Sequence, residues 1–431
     1  MLASIAQCSP KCYHASHPMP RTIAIIGAGA AGMMAAATIL ESHPDHVIHL
    51  FDKNPSLGRK VVISGGGRCN VTTGITDRKV LMTKYTRGAQ FLSHALTAFT
   101  PARVRSWFEQ HGVPLKCEED LRVFPVSDDG NDVVRAFERV FRAHDVRTHL
   151  RDSVTTLTHD GANFVVTASS GIYSCDAVIV TTGGNAYRHT GSTGDGYDFA
   201  RAFGHTITPL GPSLNSFETA QSWCKELSGL SMPDAQWSVT VDGTKHRVHG
   251  PMLFTHFGVS GPSTFALSSR IAFAPISKQQ PLTVAWSPIA DRDFQSWDEQ
   301  FLSATQENGR KHVLTFLAQT LPRRLASTLL TLAAIHEDTT LANLTKELRK
   351  RLIHLLSGEL SLTFLSRRAG DEFVTAGGVV LDEVDPTTMQ SRLRPGLFFA
   401  GEVLDVDGVT GGFNLQASWA TGRLAGTHAA Q

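Results

Sequence analysis

The stretch TIAIIGAGAAGMMAAATIL, residues 22–40, decides how the chain begins to fold. Ile23 to Ile26 form a short buried strand, and Ala30 to Leu40 read as a helix rich in good helix formers. Between them Gly27-Ala28-Gly29-Ala30-Ala31-Gly32 fits G-x-G-x-x-G at the strand-to-helix turn that gives the pattern its meaning. The first glycine permits the tight turn and the second admits a pyrophosphate close to the backbone. The third lets helix and strand pack closely, while the helix N-terminus offers unpaired N–H groups to the anion. Pro44 and Asp45 turn the chain, and Val47 to Phe51 form a second strand, completing a βαβ unit. Asp52 ends that strand, 20 residues beyond Gly32, where a carboxylate accepts from both hydroxyls of an adenosine ribose and repels a 2′-phosphate. FAD or NAD is expected, rather than NADP.

Two more glycine-dense segments indicate which of these it is. Gly58-Arg59-Lys60 and Ser64-Gly65-Gly66-Gly67-Arg68-Cys69-Asn70 follow soon after the ribose acid, with amides and basic groups suited to a long anionic cofactor. Near the other end, Ala400-Gly401-Glu402 follows a strand and Gly411-Gly412-Phe413-Asn414-Leu415-Gln416 opens the last helix. Two helix starts would then serve one ligand, the first holding the pyrophosphate and the last facing an isoalloxazine ring. That division accounts for the separated segments better with FAD than with NAD.

Between these segments the pattern changes several times. Leu92 to Trp107 and Val133 to Phe141 carry apolar residues at helical spacing, and Val146 to Val180 reads as a small β-meander ending in the buried strand Ala177 to Val180. The expected organisation is an N-terminal extension over 1–20, an FAD-binding part over 21–205, an insert over 206–368 and a second FAD-binding part over 369–431. The insert reads as β-rich over 206–290 and helical over 291–368. The fold class is α/β, a Rossmann-like domain built from both ends of the chain.

The ordered set Gly27 to Gly32, Gly58 to Asn70, Thr182-Gly183-Gly184, Gly191 to Tyr197, Leu253 to His256 with Ser260-Gly261-Pro262, Thr375 to Gly378, and Phe399 to Gln416 resembles a bacterial flavoprotein family. Its members are labelled NAD(P)/FAD-dependent oxidoreductases and include aminoacetone oxidase-like enzymes and bile-acid-operon flavin reductases. The resemblance covers nearly everything after Met19. It implies bound FAD, a two-part Rossmann-like domain, and an insert with a β-barrel-like and a helical portion. It also implies that Gly27, Gly29, Ala31 and Gly32 meet the pyrophosphate and that Asp52, with Lys53 beside it, meets the ribose. Arg59, Lys60, Ser64 and Gly65 to Asn70 (Gly65, Gly66, Gly67, Arg68, Cys69, Asn70) would run along pyrophosphate and flavin, and the backbone of Val154 would read adenine. Thr182, Gly183, Gly184, Gly401, Glu402 and Gly411 would border the cofactor, with Glu402 at the ribityl chain. Gly412, Phe413, Asn414, Leu415 and Gln416 would line the pyrimidine edge. Asp stands at 52 where many relatives carry Glu, and Phe at 413 where Tyr is common.

The chemistry expected is hydride transfer between flavin N5 and a small organic substrate, with oxidase and NAD(P)H-linked reductase both open. His256, in a glycine-flanked part of the insert, is the candidate general acid or base, set against a structural or surface role. Cys69 is a candidate flavin neighbour or nucleophile, set against a small packed residue. Without a second G-x-G-x-x-G no dedicated nicotinamide domain is expected, and NAD(P)H would visit transiently. An alternative uses the basic insert. From Arg310 to Arg351 eight basic residues face three acids, as in a flavin-dependent RNA-modifying or RNA-binding protein. Against it, Leu344, Leu348, Leu352 and Leu355 at helical spacing make those charges the solvated face of a packed helix.

Composition narrows the rest. The chain has 431 residues with 40 Lys+Arg against 39 Asp+Glu, a balance that does not favour a dedicated nucleic-acid or anionic-membrane binder. The six cysteines (Cys8, Cys12, Cys69, Cys117, Cys175, Cys224) form no Cys-x-x-Cys pair and no zinc-like cluster, so reduced thiols, no metal and a cytoplasmic setting are expected. No run of apolar residues is long enough to span a membrane. Nothing in the sequence sets the oligomeric state.

Overall fold

The computed structural model describes residues 19–431 apart from 145, 369 and 371. Residues 1–18 of the expected extension, with Cys8 and Cys12, lie outside the described residues. The opening βαβ unit is β1 (Thr22–Ile26), α1 (Ala30–Ser42) and β2 (Val47–Asp52). Next come β3 (Tyr85–Arg87) and helices α2 (Ala89–Ala98) and α3 (Pro101–Gln110). The single helical periodicity expected over Leu92 to Trp107 is thus two helices. A proline disfavours helical geometry in the residue before it but suits a first helical position, so Thr100 caps the new helix, its hydroxyl accepting from the Arg103 N–H at 3.3 Å.

After α4 (Gly130–Ala143) the meander also departs from expectation. Only β5 (Val154–His159), β6 (Phe164–Ala168) and β7 (Gly171–Cys175) form the antiparallel sheet. The flanking strands β4 (Arg147–Leu150) and β8 (Ala177–Val180) instead join β1 and β2 in parallel. Helix α5 (Asp195–Ala202) and strand β9 (Gly211–Ser213) lead into the barrel.

The barrel begins with β10 (Phe217–Thr219), β11 (Ser231–Val241), β12 (Thr244–Phe254) and β13 (Gly258–Ser260). Helix α6 (Pro262–Arg270) packs beside β12, and β14 (Leu282–Ser287) follows. Three helices, α7 (Phe294–Asn308), α8 (Arg323–Leu332) and α9 (Lys346–Leu356), cover one side. Strand β15 (Leu360–Arg367) then closes the six-stranded barrel by pairing with both β14 and β10. The stretch expected to be helical over 291–368 therefore ends in a strand. The barrel is filled by Trp237, Trp286, Phe217 and Phe364, the last two stacked with centroids 4.2 Å apart. Each such buried phenylalanine contributes about 1.5–3 kcal/mol of burial.

Strand β16 (Val374–Ala376) pairs with β9, and β17 (Leu397–Phe399) adds to β8, giving a five-stranded parallel sheet in the order β17-β8-β1-β2-β4. Strand β18 (Asp407–Gly408) pairs with β3, and α10 (Phe413–Ala429) ends the chain. Helices α1 and α10 pack so closely that a Cβ on Gly422 would lie 2.3 Å from the Ala31 carbonyl and one on Gly426 2.5 Å from that of Ala35. The architecture is α/β: a Rossmann-like domain made from both ends of the chain, carrying a closed barrel and its helices.

Candidate functional site

One elongated cavity of about 1030 Å³ lies where β1, α1, the start of α10 and the barrel meet. It stands at the upper end of the range for small-molecule and cofactor sites. Its first wall is mostly backbone. Gly27, Gly29 and Ala31 line it from the first turn. The three fingerprint glycines differ in what requires them. A Cβ on Gly27, with φ +109°, would lie 2.5 Å from the Thr181 carbonyl, and one on Gly32 would lie 1.9 Å from that of Gly27. Gly29 has ordinary φ of −80°, and a Cβ there would meet no protein atom within 4 Å. No described protein atom requires a glycine at 29, and a Cβ there would stand in the space of the cavity that Gly29 lines. Helix α1 begins there without a side-chain cap and without an acid in its first turn, leaving its N–H groups for an anion.

Asp52 fixes this turn. Its Oδ2 accepts from the Ala28 N–H at 2.8 Å, and its Oδ1 accepts from the backbone and side chain of Asn54, each at 2.8 Å. Asp52 lines the cavity, and its carboxylate retains acceptor capacity beyond these three bonds. Lys53 pairs with Asp195 at the start of α5, and Arg59 lines the same wall. Lys60 donates to Glu402 Oε2 at 2.7 Å, while Glu402 Oε1 accepts from the Thr375 N–H at 2.9 Å. Ser64, Gly65, Gly66 and Asn70 line the cavity from the second glycine segment, and Val154 does so from β5, the edge strand of its sheet. Thr182, Gly183 and Gly401 border it as well.

Gly411, Gly412, Phe413, Asn414 and Leu415 line the far part. Gly412 caps α10 at φ +84°, where a Cβ would strike the Thr72 carbonyl at 2.4 Å. The Asn414 side chain pins the preceding turn, accepting from the Gly408 N–H at 2.8 Å and donating to its carbonyl at 2.7 Å. Both expected helix starts therefore open on one cavity. Its extent, the anion-ready first turn, the free space at Gly29 and the remaining acceptor on Asp52 together fit a dinucleotide with a second aromatic end, as FAD is.

Seven expected site residues do not line the cavity. Gly32 packs inside the turn, Gly67 lies outside the lining, and Gly184 sits against Thr375 and Glu402. Arg68 turns away to Glu118 and to Asp128 at 2.8 Å, its guanidinium 3.8 Å above the Phe124 ring; bonds to Glu118, then Asp128, hold its proton more tightly than usual. Cys69 is fully buried, and burial pushes its thiol up to about 12, which leaves no nucleophilic thiolate near neutral pH. Gln416 is buried between Thr72 and the Phe99 carbonyl at 2.6 and 2.8 Å. His256 is exposed in the turn between β12 and β13, with its ring against Phe257, and does not reach the cavity. The glycines that aim that turn serve the barrel: a Cβ on Gly258 would meet the Phe217 carbonyl at 2.4 Å.

The opposite wall comes from the barrel side, and apart from Pro262 and the neighbouring Tyr187 its residues are not marked in the sequence. Leu214, Pro251, Pro262, Phe265 and Phe373 present an apolar surface, with Tyr187 beside it. Phe373 contacts Phe265 and Tyr187 with ring centroids 5.2 and 5.3 Å away. Leu214 and Tyr187 both hold left-handed backbone conformations, φ +54° and +56°, uncommon outside glycine. Asp407 lines the floor between the two walls. Its Oδ2 takes a guanidinium N–H from Arg87 and the hydroxyls of Ser213 at 2.5 Å and Ser269 at 3.2 Å. Burial pushes the Asp407 carboxyl up, against Arg87 and the two serines, which pull it down.

Residues 21–428 match the family described as HI0933-like protein Rossmann domain. The chain belongs to this flavoprotein family. It is an FAD-dependent oxidoreductase. The chain is 29% identical over 410 residues to a Clostridium scindens protein named 3-dehydro-bile acid delta(4,6)-reductase, covering 95% of this chain and 99% of that one. It is also 29% identical over 401 residues to an Escherichia coli protein named ribosomal RNA dihydrouridine synthase, covering 92% and 95%. Among solved structures, the 3-ketosteroid delta1-dehydrogenase of Sterolibacterium denitrificans, crystallised with 1,4-androstadiene-3,17-dione, shares the fold. It has a TM-score of 0.50 at 14% identity and covers 95% of this chain and 99% of that one. No described helix is long and apolar enough to cross a membrane, and no described cluster of His, Cys, Asp or Glu could hold a metal ion.

Proposed function

We propose that this enzyme reduces a carbon–carbon double bond conjugated to a carbonyl, with FAD held between the starts of α1 and α10. The observation that carries the reading is the two-walled cavity: one wall of glycine backbone and charge, the other of apolar side chains from the barrel side. The relatives' names converge on such chemistry. A delta(4,6)-reduction in a 3-dehydro bile acid and the formation of dihydrouridine both saturate a C=C conjugated to a carbonyl. When bound, FAD supplies hydride transfer at N5.

The chain's own residues bind and orient. Gly27, Gly29 and Ala31 would hold the pyrophosphate, Asp52 the ribose and Val154 the adenine, with Lys60 and Glu402 along the ribityl chain. Gly411 to Leu415 would border the ring. Leu214, Pro262, Phe265 and Phe373 would lay a flat substrate against it and exclude water. The net change adds two electrons and two protons across the double bond, the electrons coming from a nicotinamide that visits transiently. His256, exposed and off the cavity, has no part in this reading.

The second reading, a uridine of RNA as substrate, is favoured by the names of the Escherichia coli and Haemophilus influenzae relatives, each matched over 92% of this chain. The basic insert gives it mixed support, because Arg349 pairs with Asp298 at 2.8 Å while Arg324 and Arg351 bond the Glu226 and Ala333 carbonyls. The test is anaerobic. FAD-loaded protein reduced with NADPH or dithionite is mixed with a 4-en-3-one steroid or with ribosomal RNA. Return of the yellow colour without oxygen is expected with at least one of them; recovery only on admitting oxygen, with peroxide formed, would replace this reading with an oxidase.

A further inference from the structure

One hairpin at the cavity carries a residue that its own turn would not select. Leu115–Cys117 pairs with Arg122–Pro125, which pairs in turn with Thr72–Thr73. The loop between the first two is Glu119-Asp120-Leu121, closed by the Glu118 N–H to the Arg122 carbonyl at 2.8 Å and by the Leu121 N–H to the Glu118 carbonyl at 2.9 Å. In a three-residue hairpin loop the last residue is left-handed and is ordinarily glycine. Leu121 takes that conformation with φ +65°, lines the cavity and is 46% exposed. Backbone strain and exposed apolar surface thus fall on one side chain, a combination that belongs to ligand clamps rather than to turns. The loop is also braced. The Leu121 carbonyl accepts from the Gly74 N–H at 2.7 Å and from the Thr73 hydroxyl at 3.3 Å. Asp120 and Arg122, which line the cavity on either side of Leu121, pair with each other at 2.6 Å, and Arg122 reaches Glu118 at 3.3 Å. With those charges taken up, the loop offers the cavity an apolar side chain on a fixed backbone. Its place is the far part of the cavity, since the Thr72 carbonyl of the same ribbon lies against Gly412 at the start of α10. Of the ten left-handed non-glycine residues among those described, three line the cavity: Leu121 here, and Tyr187 and Leu214 on the barrel side.

Resting on the proposed reduction of a conjugated double bond, we propose that Leu121 is a specificity-determining residue, a preformed contact for the apolar body of the substrate. A strained but braced side chain is already in its bound conformation, so no ordering cost is left for binding. The substrate class is then a conjugated carbonyl compound whose apolar body extends beyond the reacting ring, such as a fused-ring enone. Compact rings are disfavoured.

The turn makes one substitution diagnostic. Leu121→Gly restores the residue this loop ordinarily takes, so it removes the side chain while relieving the backbone. Binding is read from the perturbed flavin absorbance of oxidised, FAD-loaded protein titrated with 2-cyclohexenone and with a 4-en-3-one steroid, which share the reacting group and differ in the apolar body. Wild type is expected to bind the steroid at least tenfold more tightly than cyclohexenone. L121G should keep FAD, melt no lower than wild type, and lose at least fivefold of that preference through weaker steroid binding alone. A second variant, Leu121→Met, keeps a large apolar side chain and should hold the preference within twofold. Equal binding of the two probes by wild type, or the same ratio in wild type and L121G, would overturn the proposal. So would an L121G protein that sheds FAD or melts several degrees lower with its ratio unchanged, since the residue would then support the cofactor or the hairpin. Because binding is measured without turnover, a wild type that discriminates through Leu121 but, once reduced, returns no yellow colour with either probe refutes the reaction and leaves the contact standing. One that reduces both probes but binds them in the same ratio as L121G does the reverse.

Discussion

The two walls of the cavity are made in different ways. The Rossmann-side wall is written in backbone: Gly27, Gly29, Gly65 and Gly412 leave room or take conformations that side chains resist, and short-range partners such as Asp52 hold them. The barrel-side wall is written in side chains, Leu214, Pro262, Phe265 and Phe373, delivered by elements distant in sequence. A wall of backbone recognises what every cofactor molecule has in common, whereas a wall of side chains can change its choice of substrate without disturbing the grip. The comparison predicts that damage to the first wall removes FAD and damage to the second removes only substrate.

The largest effect is expected from Gly32→Ala. Its Cβ would meet the Gly27 carbonyl at 1.9 Å, backbone against backbone, an overpacking of about 1–3 kcal/mol or more that moves the turn itself. The protein should purify colourless or fail to fold, and a yellow, fully loaded variant would show that the turn does not grip the cofactor. Asp52→Ala comes next. Losing the acceptor for Ala28 and Asn54 removes about 1–3 kcal/mol, so FAD retention on gel filtration should fall ten- to hundredfold with the fold intact by circular dichroism. On the other wall, Phe265→Ala should keep FAD and raise KM for a conjugated substrate about tenfold, roughly 1.4 kcal/mol, with kcat little changed. If this variant instead sheds FAD, the division of labour between the walls fails.

The smallest effect concerns β2, the strand next to the edge of the sheet. Burial, then His149 and Arg147, lower His49 from 6.5 to about 4. The unfolded chain takes up that proton first, so stability is whole above pH 6.5 and falls as pH drops from 6.5 toward 4. His49→Gln should flatten this part of the Tm–pH curve by a few degrees while leaving FAD content unchanged, which separates the stability of the sheet from the grip on the cofactor.

What sequence could show follows the same division. The βαβ unit, the glycine turns and Asp52 are legible because local backbone chemistry dictates them. Arg68 and Cys69 were misplaced because adjacency within a glycine segment does not say which way a side chain turns. The run through Thr100-Pro101 hid a helix break behind continuous apolar spacing, and β15 was lost because a short strand after three helices carries no signal of the barrel it closes. Phe265, Phe373 and Asp407 were invisible because their meeting depends on how β9, α6 and β18 pack, and no single window of sequence contains that. The local traces were Tyr187, close after Gly183-Gly184, and Pro262 in the Ser260-Gly261-Pro262 segment.

The most direct test of the account is a crystal structure of the FAD-loaded protein. It should show one FAD with its pyrophosphate against Gly27 to Ala31, its ribose on Asp52 and its ring beside Gly411 to Leu415, facing Phe265 and Phe373. An FAD bound with its ring at the α1 end, or lying outside the shared cavity, would contradict it.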